Sequence, residues 1–303
     1  MDKEIEQEKE QEIEKDIWSE WLAHRRFDGD AANQARAMDM YKSLALKITD
    51  KAQIIETAVV LDIGAGDGLV GLTALKQLGP SGKLILSDIS EAALAIPKEI
   101  FRQHETRDLR VEFLLAGAEN LSALPGNSVD RVLMRSVLLY VSDKQAVFNE
   151  IYRVLKPEGI AVIMEPVNQR MVEFQKDLFR GYSLDKEPLL SVKSLLQKVV
   201  DKSKSQNQAS MTGYNEHDLV HWPAASGFKQ IELDYNLMLA PAQYGSWKFF
   251  FDAAPNPHAS TLHEIMERTL NSDEFEKVEK ALKKAVEEPC IMTKSLALLS
   301  LKK

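Results

Sequence analysis

The stretch LDIGAGDGLVG, residues 61–71, decides how this chain is read. An apolar run ends in Asp62, three glycines follow at alternate positions (Gly64, Gly66, Gly68), and a helix-like pattern starts at once. Glycine lets the backbone reverse at positive φ and lets another molecule touch bare main chain. A helix beginning there adds unpaired N–H groups and partial positive charge. The stretch therefore reads as a nucleotide-binding strand–turn–helix; the plainer alternative is a tight connection with no ligand. The spacing is G-x-G-x-G. A dinucleotide turn, G-x-G-x-x-G, would need glycine at position 69, where Leu69 stands, and no lysine–hydroxyl pair follows as in a phosphate-binding loop.

The surrounding pattern supports a parallel sheet. Short apolar runs at 58–63, 84–89, 111–116, 131–136 and 161–166 alternate with helix-length segments such as 68–78, 90–105 and 143–155. Strand–helix repetition of this kind places helices on both faces of a mostly parallel sheet. The alternation stops at 167. Residues 167–212 look helical and end in the polar stretch DKSKSQNQAS, read as a loop. A short helix is expected within 215–228, a strand at 229–239, a second largely helical insert at 240–289, and a closing strand from Cys290. Before the sheet, Ile13, Ile17, Trp18, Trp21 and Leu22 mark one helical face, FDGD at 27–30 breaks that helix, and 31–48 is helical again.

Composition narrows the function classes. Hydrophobic residues make up 45% and charged residues 28% of 303, ordinary for a globular chain. The first twenty residues hold nine acids against three lysines, so they carry −6 of the net −8. That run reads as a solvated, frayed helix or tail. No basic face is indicated, which argues against a nucleic-acid substrate. Cys290 is the single cysteine, so neither an intrachain disulfide nor a thiolate cluster is expected. There is no apolar run of about 18 residues and no basic-then-apolar leader. A cytoplasmic enzyme without a membrane partner is the expectation.

Asp88 ends the second apolar run, 24 residues beyond Gly64. A carboxylate there can accept two hydrogen bonds from ribose hydroxyls; the competing reading is a cap for the next helix, a task Ser90 can also perform. Taken with the glycine turn, four pieces (VVLDIGAGDG, LSDIS, GAENLSALPGNSVDRVLM and EIYRVLKPEGIAVIMEP) make residues 57–166 resemble the class I S-adenosylmethionine-dependent methyltransferases. RVLKPEG is the most specific of them.

That resemblance implies a Rossmann-like α/β fold: a seven-stranded sheet in the order 3-2-1-4-5-7-6, its seventh strand antiparallel. It implies S-adenosyl-L-methionine as cofactor and S-adenosyl-L-homocysteine as product. It divides the chain into N-terminal helices (1–50) that join an acceptor lid, a cofactor-binding core (51–166), a helical lid insert with a following helix (167–228), and the last two strands (229–303) with a helical insert at 240–289. Carried over residue by residue, Gly64, Ala65, Gly66 and Gly68 would meet the amino-acid part of the cofactor, Asp88 its ribose, and Ile89 its adenine. The family often has Asp before Ala in the third-strand loop; here Gly117 precedes Ala118 and Glu119, so the adenine edge falls to Glu119 or to backbone.

The acceptor side is read from residue chemistry. Arg135 follows the fourth strand, where this fold presents the methyl group, and its forked guanidinium suits a carboxylate of acceptor or cofactor; a structural salt bridge is the alternative. The Asn/Asp-Pro-Pro-aromatic stretch of base-methylating relatives is absent there. His24, Arg25 and Arg26 form either an anion clamp for an acidic acceptor or the basic end of a surface helix. His24 and Arg135 are the catalytic candidates. Tyr41 is a candidate for the cofactor carboxylate, and Arg25, Arg26, Tyr140, Tyr182 and Tyr214 for the acceptor. His217 and His221 share a helical face but lack a third ligand, so no metal is expected. These features favour methyl transfer to a small molecule or peptide, at oxygen by preference, a carboxylate such as a peptide C-terminus included. Transfer to carbon or nitrogen of a small metabolite, a non-catalytic cofactor- or partner-binding protein, and a nicotinamide-dependent oxidoreductase are the alternatives.

Overall fold

The computed structural model describes residues 16–103, 110–203 and 208–303. The acidic run at 1–15, with Ile13, and part of the polar stretch, 204–207, lie outside the described residues. Seven strands form the central sheet: β1 (Val59–Ile63), β2 (Lys83–Asp88), β3 (Val111–Leu115), β4 (Val129–Arg135), β5 (Leu155–Pro166), β6 (Gln230–Ala242) and β7 (Cys290–Lys302). Their spatial order is β3-β2-β1-β4-β5-β7-β6. The first five are mutually parallel, and β7 runs antiparallel to both β5 and β6. This is the topology that the strand–helix alternation and the resemblance implied.

The helices are α1 (Ile17–Glu20), α2 (Ala31–Lys51), α3 (Leu69–Leu75), α4 (Glu91–Gln103), α5 (Lys144–Val154), α6 (Asn168–Gln175), α7 (Lys193–Ser203), α8 (Gln208–Thr212), α9 (Asp218–Ser226), α10 (Trp247–Asp252), α11 (Leu262–Thr269) and α12 (Ser272–Val286). Local chemistry sets many of their starts. Asp30, Asp143, Thr261 and Asn271 each accept a hydrogen bond from the backbone two or three residues into the helix that follows. FDGD does break the first helix, with Asp28 at φ 45° and Gly29 at φ 73°.

Parallel pairing buries the middles of β1, β2 and β4 on both faces, which is why Val60–Leu61, Leu84–Leu86 and Val132–Met134 are unbroken apolar runs. Ala45 and Ile48 of α2 and Val70 and Ala74 of α3 pack on one face with Leu84, Leu86 and Met164. Phe148 and Ile151 of α5, with Tyr214 and Leu219, pack on the other with Leu61, Met134 and Ile163.

The two inserts share a third core. Phe179, Tyr182, Leu189 and Leu196 of the first pack with Phe250, Phe251, Leu262, Met266 and Leu282 of the second. Both inserts leave the sheet from the carboxyl ends of parallel strands, β5 and β6, so a shared body beside that edge is the outcome. The helix expected to follow the first insert packs on the sheet rather than with that body. That helix, α9, packs against α5, and Tyr214 and Leu219 join the sheet core, because the apolar side chains there find that surface before the chain enters β6.

The N-terminal segment differs from a simple amphipathic helix. After α1 the chain enters a π turn over Trp21–Arg25, with Arg26 N–H donating to Trp21 C=O at 2.9 Å. The widened turn rotates the apolar register. Ile17 is left 49% exposed, while Trp21 donates its indole N–H to Ala254 C=O at 2.8 Å. No described helix is long and apolar enough to cross a membrane.

Candidate active site

The carboxyl ends of β1, β2, β4 and β5 meet at one edge of the sheet. Gly64, Gly66 and Gly68 there have φ of 65°, 53° and 78°. The three serve different ends. A Cβ at Gly64 would lie 2.3 Å from Val137 Cγ2, so that glycine admits the loop after β4. A Cβ at Gly68 would lie 2.8 Å from Pro97 Cβ, which brings α4 close. At Gly66 the nearest atom is Leu22 Cδ1 at 3.8 Å, an ordinary contact, so here bareness is not demanded by packing. Gly68 is the N-cap of α3 and has no side chain to satisfy that helix's first amides. Asp62 does so from β1: its Oδ2 accepts from Gly71 N–H at 2.7 Å. Burial raises the Asp62 carboxyl to about 7, opposed by that bond.

Asp88 is 8% exposed. Its Oδ2 accepts from Gly66 N–H and its Oδ1 from Ser90 N–H, both at 2.9 Å. Each carboxylate oxygen retains acceptor capacity beyond these bonds. The helix cap is Ser90, whose hydroxyl accepts from Ala93 N–H at 2.9 Å, so the two competing tasks fall to two residues. Burial raises the Asp88 carboxyl, its hydrogen bonds to backbone amides lower it, and the charge of Asp16 raises it further. Two apolar side chains flank Asp88 in solvent: Ile89, 65% exposed, and Leu115, 58% exposed and paired with Asp88 across β2 and β3. Exposed apolar groups beside a buried carboxylate suit a flat heterocycle joined to a sugar. Ala118 is buried and Glu119 exposed, its carboxylate next to Gly117.

Arg26, Tyr41 and Arg135 come together. The Tyr41 ring has the Arg26 guanidinium 4.4 Å from its centroid and that of Arg135 at 5.1 Å. Arg26 also lies over Trp21 and Phe27. The buried Nε of Arg135 has no hydrogen-bond partner. At the ends of β4 and β5, Glu165 is 1% exposed; its Oε1 accepts from the amides of Val137 (2.8 Å) and Leu138 (3.1 Å). Tyr140, on the turn after β4, meets Trp18 edge-on at 4.9 Å, and His258 from the second insert meets both rings. Burial raises the Tyr140 phenol above its ordinary range, and the Glu165 charge adds to that.

Other candidates are placed elsewhere. His24 is exposed. Arg25 Nη2 donates to both carboxylate oxygens of Glu264, at 2.9 and 3.1 Å, so its charge is already matched. Tyr182 sits in the core of the inserts with its hydroxyl donating to Glu288 C=O, and Tyr214 is buried with its hydroxyl donating to Pro166 C=O at 2.8 Å. Both tyrosines are structural, because each phenol is satisfied by main chain within a packed core. His217 and His221 are exposed, and the described residues hold no cluster of three or more metal-ligating side chains.

The sequence pattern places Trp18 only on a helical face, and it assigns no role to His258, Asp62, Leu115 or Glu165. For Asp62 and Glu165 a signal exists: each is an acid ending an apolar strand at the ligand edge. Nothing local marks His258, which is distant in sequence from the Trp18 and Tyr140 rings it meets.

The segment that carries Trp18 is fastened to the second insert. Ala254 N–H donates to Arg25 C=O, Ser246 hydroxyl to Asp30, and Asn33 to Tyr244 C=O, while Phe27 stacks on Phe249. The cover over the glycine turn is thus built from residues more than 200 positions apart.

Comparison with known proteins agrees with this geometry. A Methyltransferase domain family model matches residues 55–225, more than half of the chain. The ubiquinone/menaquinone biosynthesis C-methyltransferase UbiE of Hahella chejuensis is 33% identical over 136 residues, 45% of this chain and 54% of that protein, so the match spans about half of that relative. The UbiE of Escherichia coli O1:K1 is 25% identical over 208 residues, covering 69% of this chain and 80% of that one. Two crystal structures share the fold: the Bacillus halodurans protein BH2331 (TM-score 0.53, 14% identity, 86% of this chain and 99% of that) and the Bacillus subtilis protein YcgJ (TM-score 0.51, 17% identity, 86% and 97%). With the sheet order, the glycine turn and the family match in agreement, this chain belongs to the methyltransferase-domain family and is a class I S-adenosylmethionine-dependent methyltransferase.

Proposed function

We propose that the chain methylates a hydroxyl-bearing small molecule or peptide side chain, at oxygen. When bound, S-adenosylmethionine supplies a sulfonium methyl group open to in-line displacement, so the protein's task is mainly to position and enclose. Gly64, Ala65, Gly66 and Gly68 would hold the amino-acid part. Asp88 would hold the ribose hydroxyls on its remaining lone pairs, with Ile89, Leu115, Ala118 and Glu119 around the adenine. Arg135, with its unpartnered Nε, and Tyr41 would take the cofactor carboxylate.

The acceptor would lie beyond β4 and β5, under Trp18, Tyr140 and His258. One observation turns the reading from a carboxylate toward a hydroxyl: Glu165 Oε2 is buried there without a hydrogen-bond partner. A second anion beside it would be repelled, whereas an O–H donor would satisfy it. The Arg25 pairing with Glu264 also removes one cation from the expected anion clamp.

Transfer to a ring carbon of a hydroxylated aromatic is the second reading, favoured because the relatives are named as C-methyltransferases. The test is a panel of catechol, 4-hydroxybenzoate, tyramine and benzoate with methyl-labelled cofactor, O- and C-products separated by mass spectrometry. Transfer to phenols at oxygen is expected. Transfer to benzoate alone would overturn the hydroxyl reading, and ring methylation alone would select the second.

A further inference from the structure

We propose that Glu165 takes the proton the acceptor loses as it is methylated, which makes it a catalytic residue of this site. The inference rests on the hydroxyl-acceptor reading above. Glu165 closes β5 at the ligand edge and is 1% exposed. Its two oxygens have separate fates. Oε1 accepts from the amides of Val137 and Leu138, the Leu139 amide also faces the carboxyl, and Oε2 is buried with no partner at hydrogen-bonding geometry. An anchoring role needs only the first. A fully buried carboxylate oxygen left open is costly unless a ligand completes it.

The anchoring also makes the free oxygen well placed. The loop that Oε1 grips carries Ser136 at φ 57° and presses Val137 against Gly64. The carboxylate is therefore tied through one loop to the glycine turn. Four groups face it from the surrounding elements: Arg135 from β4, Tyr140 from the following turn, Lys144 from α5 and Tyr214 ahead of α9. Two are already engaged: Lys144 donates to Val141 C=O and Ser210, and Tyr214 donates to Pro166 C=O. Burial, opposed by the amide bonds and by Arg135, brings the carboxyl to about 7, where one group can hold or release a proton near neutrality.

In the transfer, the acceptor O–H bond breaks and its proton passes to ionised Glu165 Oε2. The oxygen lone pair forms the new O–CH3 bond, and the C–S bonding pair stays on sulfur as a neutral thioether. The cationic sulfonium and anionic carboxylate both end neutral, so no further reactant is needed.

The experiment uses catechol and the full chain. In the wild type, single-turnover transfer and calorimetric binding of catechol to the S-adenosylhomocysteine complex should both rise as pH climbs through about 7. Glu165→Gln keeps an oxygen for Val137 and Leu138 but loses the base. It should bind S-adenosylhomocysteine within about twofold of wild type, lose the pH dependence of catechol binding, and slow transfer by about 10²-fold or more. Glu165→Asp should restore part of the pH limb, and His258→Gln should keep it. If Glu165→Gln retains the wild-type pH limb, or His258→Gln loses it, the proposal fails while the hydroxyl reading stands. If the wild type binds S-adenosylhomocysteine but methylates none of catechol, 4-hydroxybenzoate and tyramine, the hydroxyl reading fails and the proposal with it.

Discussion

Replacing Gly66 with alanine separates ligand recognition from folding. The residue sits at φ 53°, so alanine pays the left-handed penalty of roughly 1–2 kcal/mol. It pays little more, since the nearest atom to the new Cβ is Leu22 Cδ1 at 3.8 Å. Gly64→Ala meets the same backbone penalty at φ 65° and also drives its Cβ to 2.3 Å from a Val137 methyl. Overpacking adds roughly 1–3 kcal/mol, so that variant should lose about 2–5 kcal/mol in all. Thermal unfolding should therefore show Gly66→Ala down by a few degrees and Gly64→Ala by clearly more. Affinity should not follow that order of stability. If the cofactor lies against the Gly66 main chain, the added methyl should cost Gly66→Ala at least about tenfold in S-adenosylhomocysteine binding, or about 1.4 kcal/mol. Isothermal calorimetry on the folded variants measures it. Affinity of Gly66→Ala within twofold of wild type would refute the assignment of this turn to the cofactor.

Asp88→Asn should weaken S-adenosylhomocysteine by about 10- to 100-fold, through the loss of charge-assisted bonds worth roughly 1.5–3 kcal/mol each. Its melting temperature should fall by a few degrees, because the single amide oxygen can accept from only one of Gly66 N–H and Ser90 N–H and an amide left without its acceptor costs about 1–3 kcal/mol; unchanged affinity would remove Asp88 from the ribose. Asp62 has a folded-state pKa raised to about 7, so between about pH 4 and 7 the native state binds the extra proton. Its contribution is therefore most favourable in acid and declines as pH rises, at up to roughly 1.4 kcal/mol per pH unit. Asp62→Asn should flatten that decline in urea-unfolding free energies measured across pH 4–8; an unaltered slope would count against a charge buried there. Arg25→Ala should change stability by no more than about 1 kcal/mol, because its pair with Glu264 is 31% and 49% exposed. A larger loss on thermal unfolding would show that the N-terminal segment depends on this pair rather than on Trp21 and Phe27.

The sequence by itself determined the layered sheet, the sharp turn after β1 and the acid after β2. Those follow from interactions within a few residues: apolar runs buried on both faces, glycines at positive φ, and a helix start that leaves amides bare. A parallel sheet then brings the carboxyl ends of its strands to one edge, whatever the lid does, so the sequence alone puts Asp88 and Gly66 together. The division of labour between Asp88 and Ser90 could not, because either residue can cap α4 locally and only the approach of Gly66 N–H assigns Asp88 its second bond.

Tertiary structure alone decided the cover and its chemistry. Trp18, Tyr140 and His258 meet although more than 100 residues separate each from the next, and no periodicity encodes that meeting. Arg25 looked like a free cation until folding placed Glu264 beside it, and Tyr182 like an acceptor contact until the two inserts closed one core around it. Glu165 reads as one more strand-end acid, and its open oxygen exists only because the loop after β4 takes one carboxylate oxygen and leaves the other buried. Burial and long-range pairing set the charge, reach and partners of a side chain, and these are properties of the packed molecule rather than of the residue's neighbours in sequence.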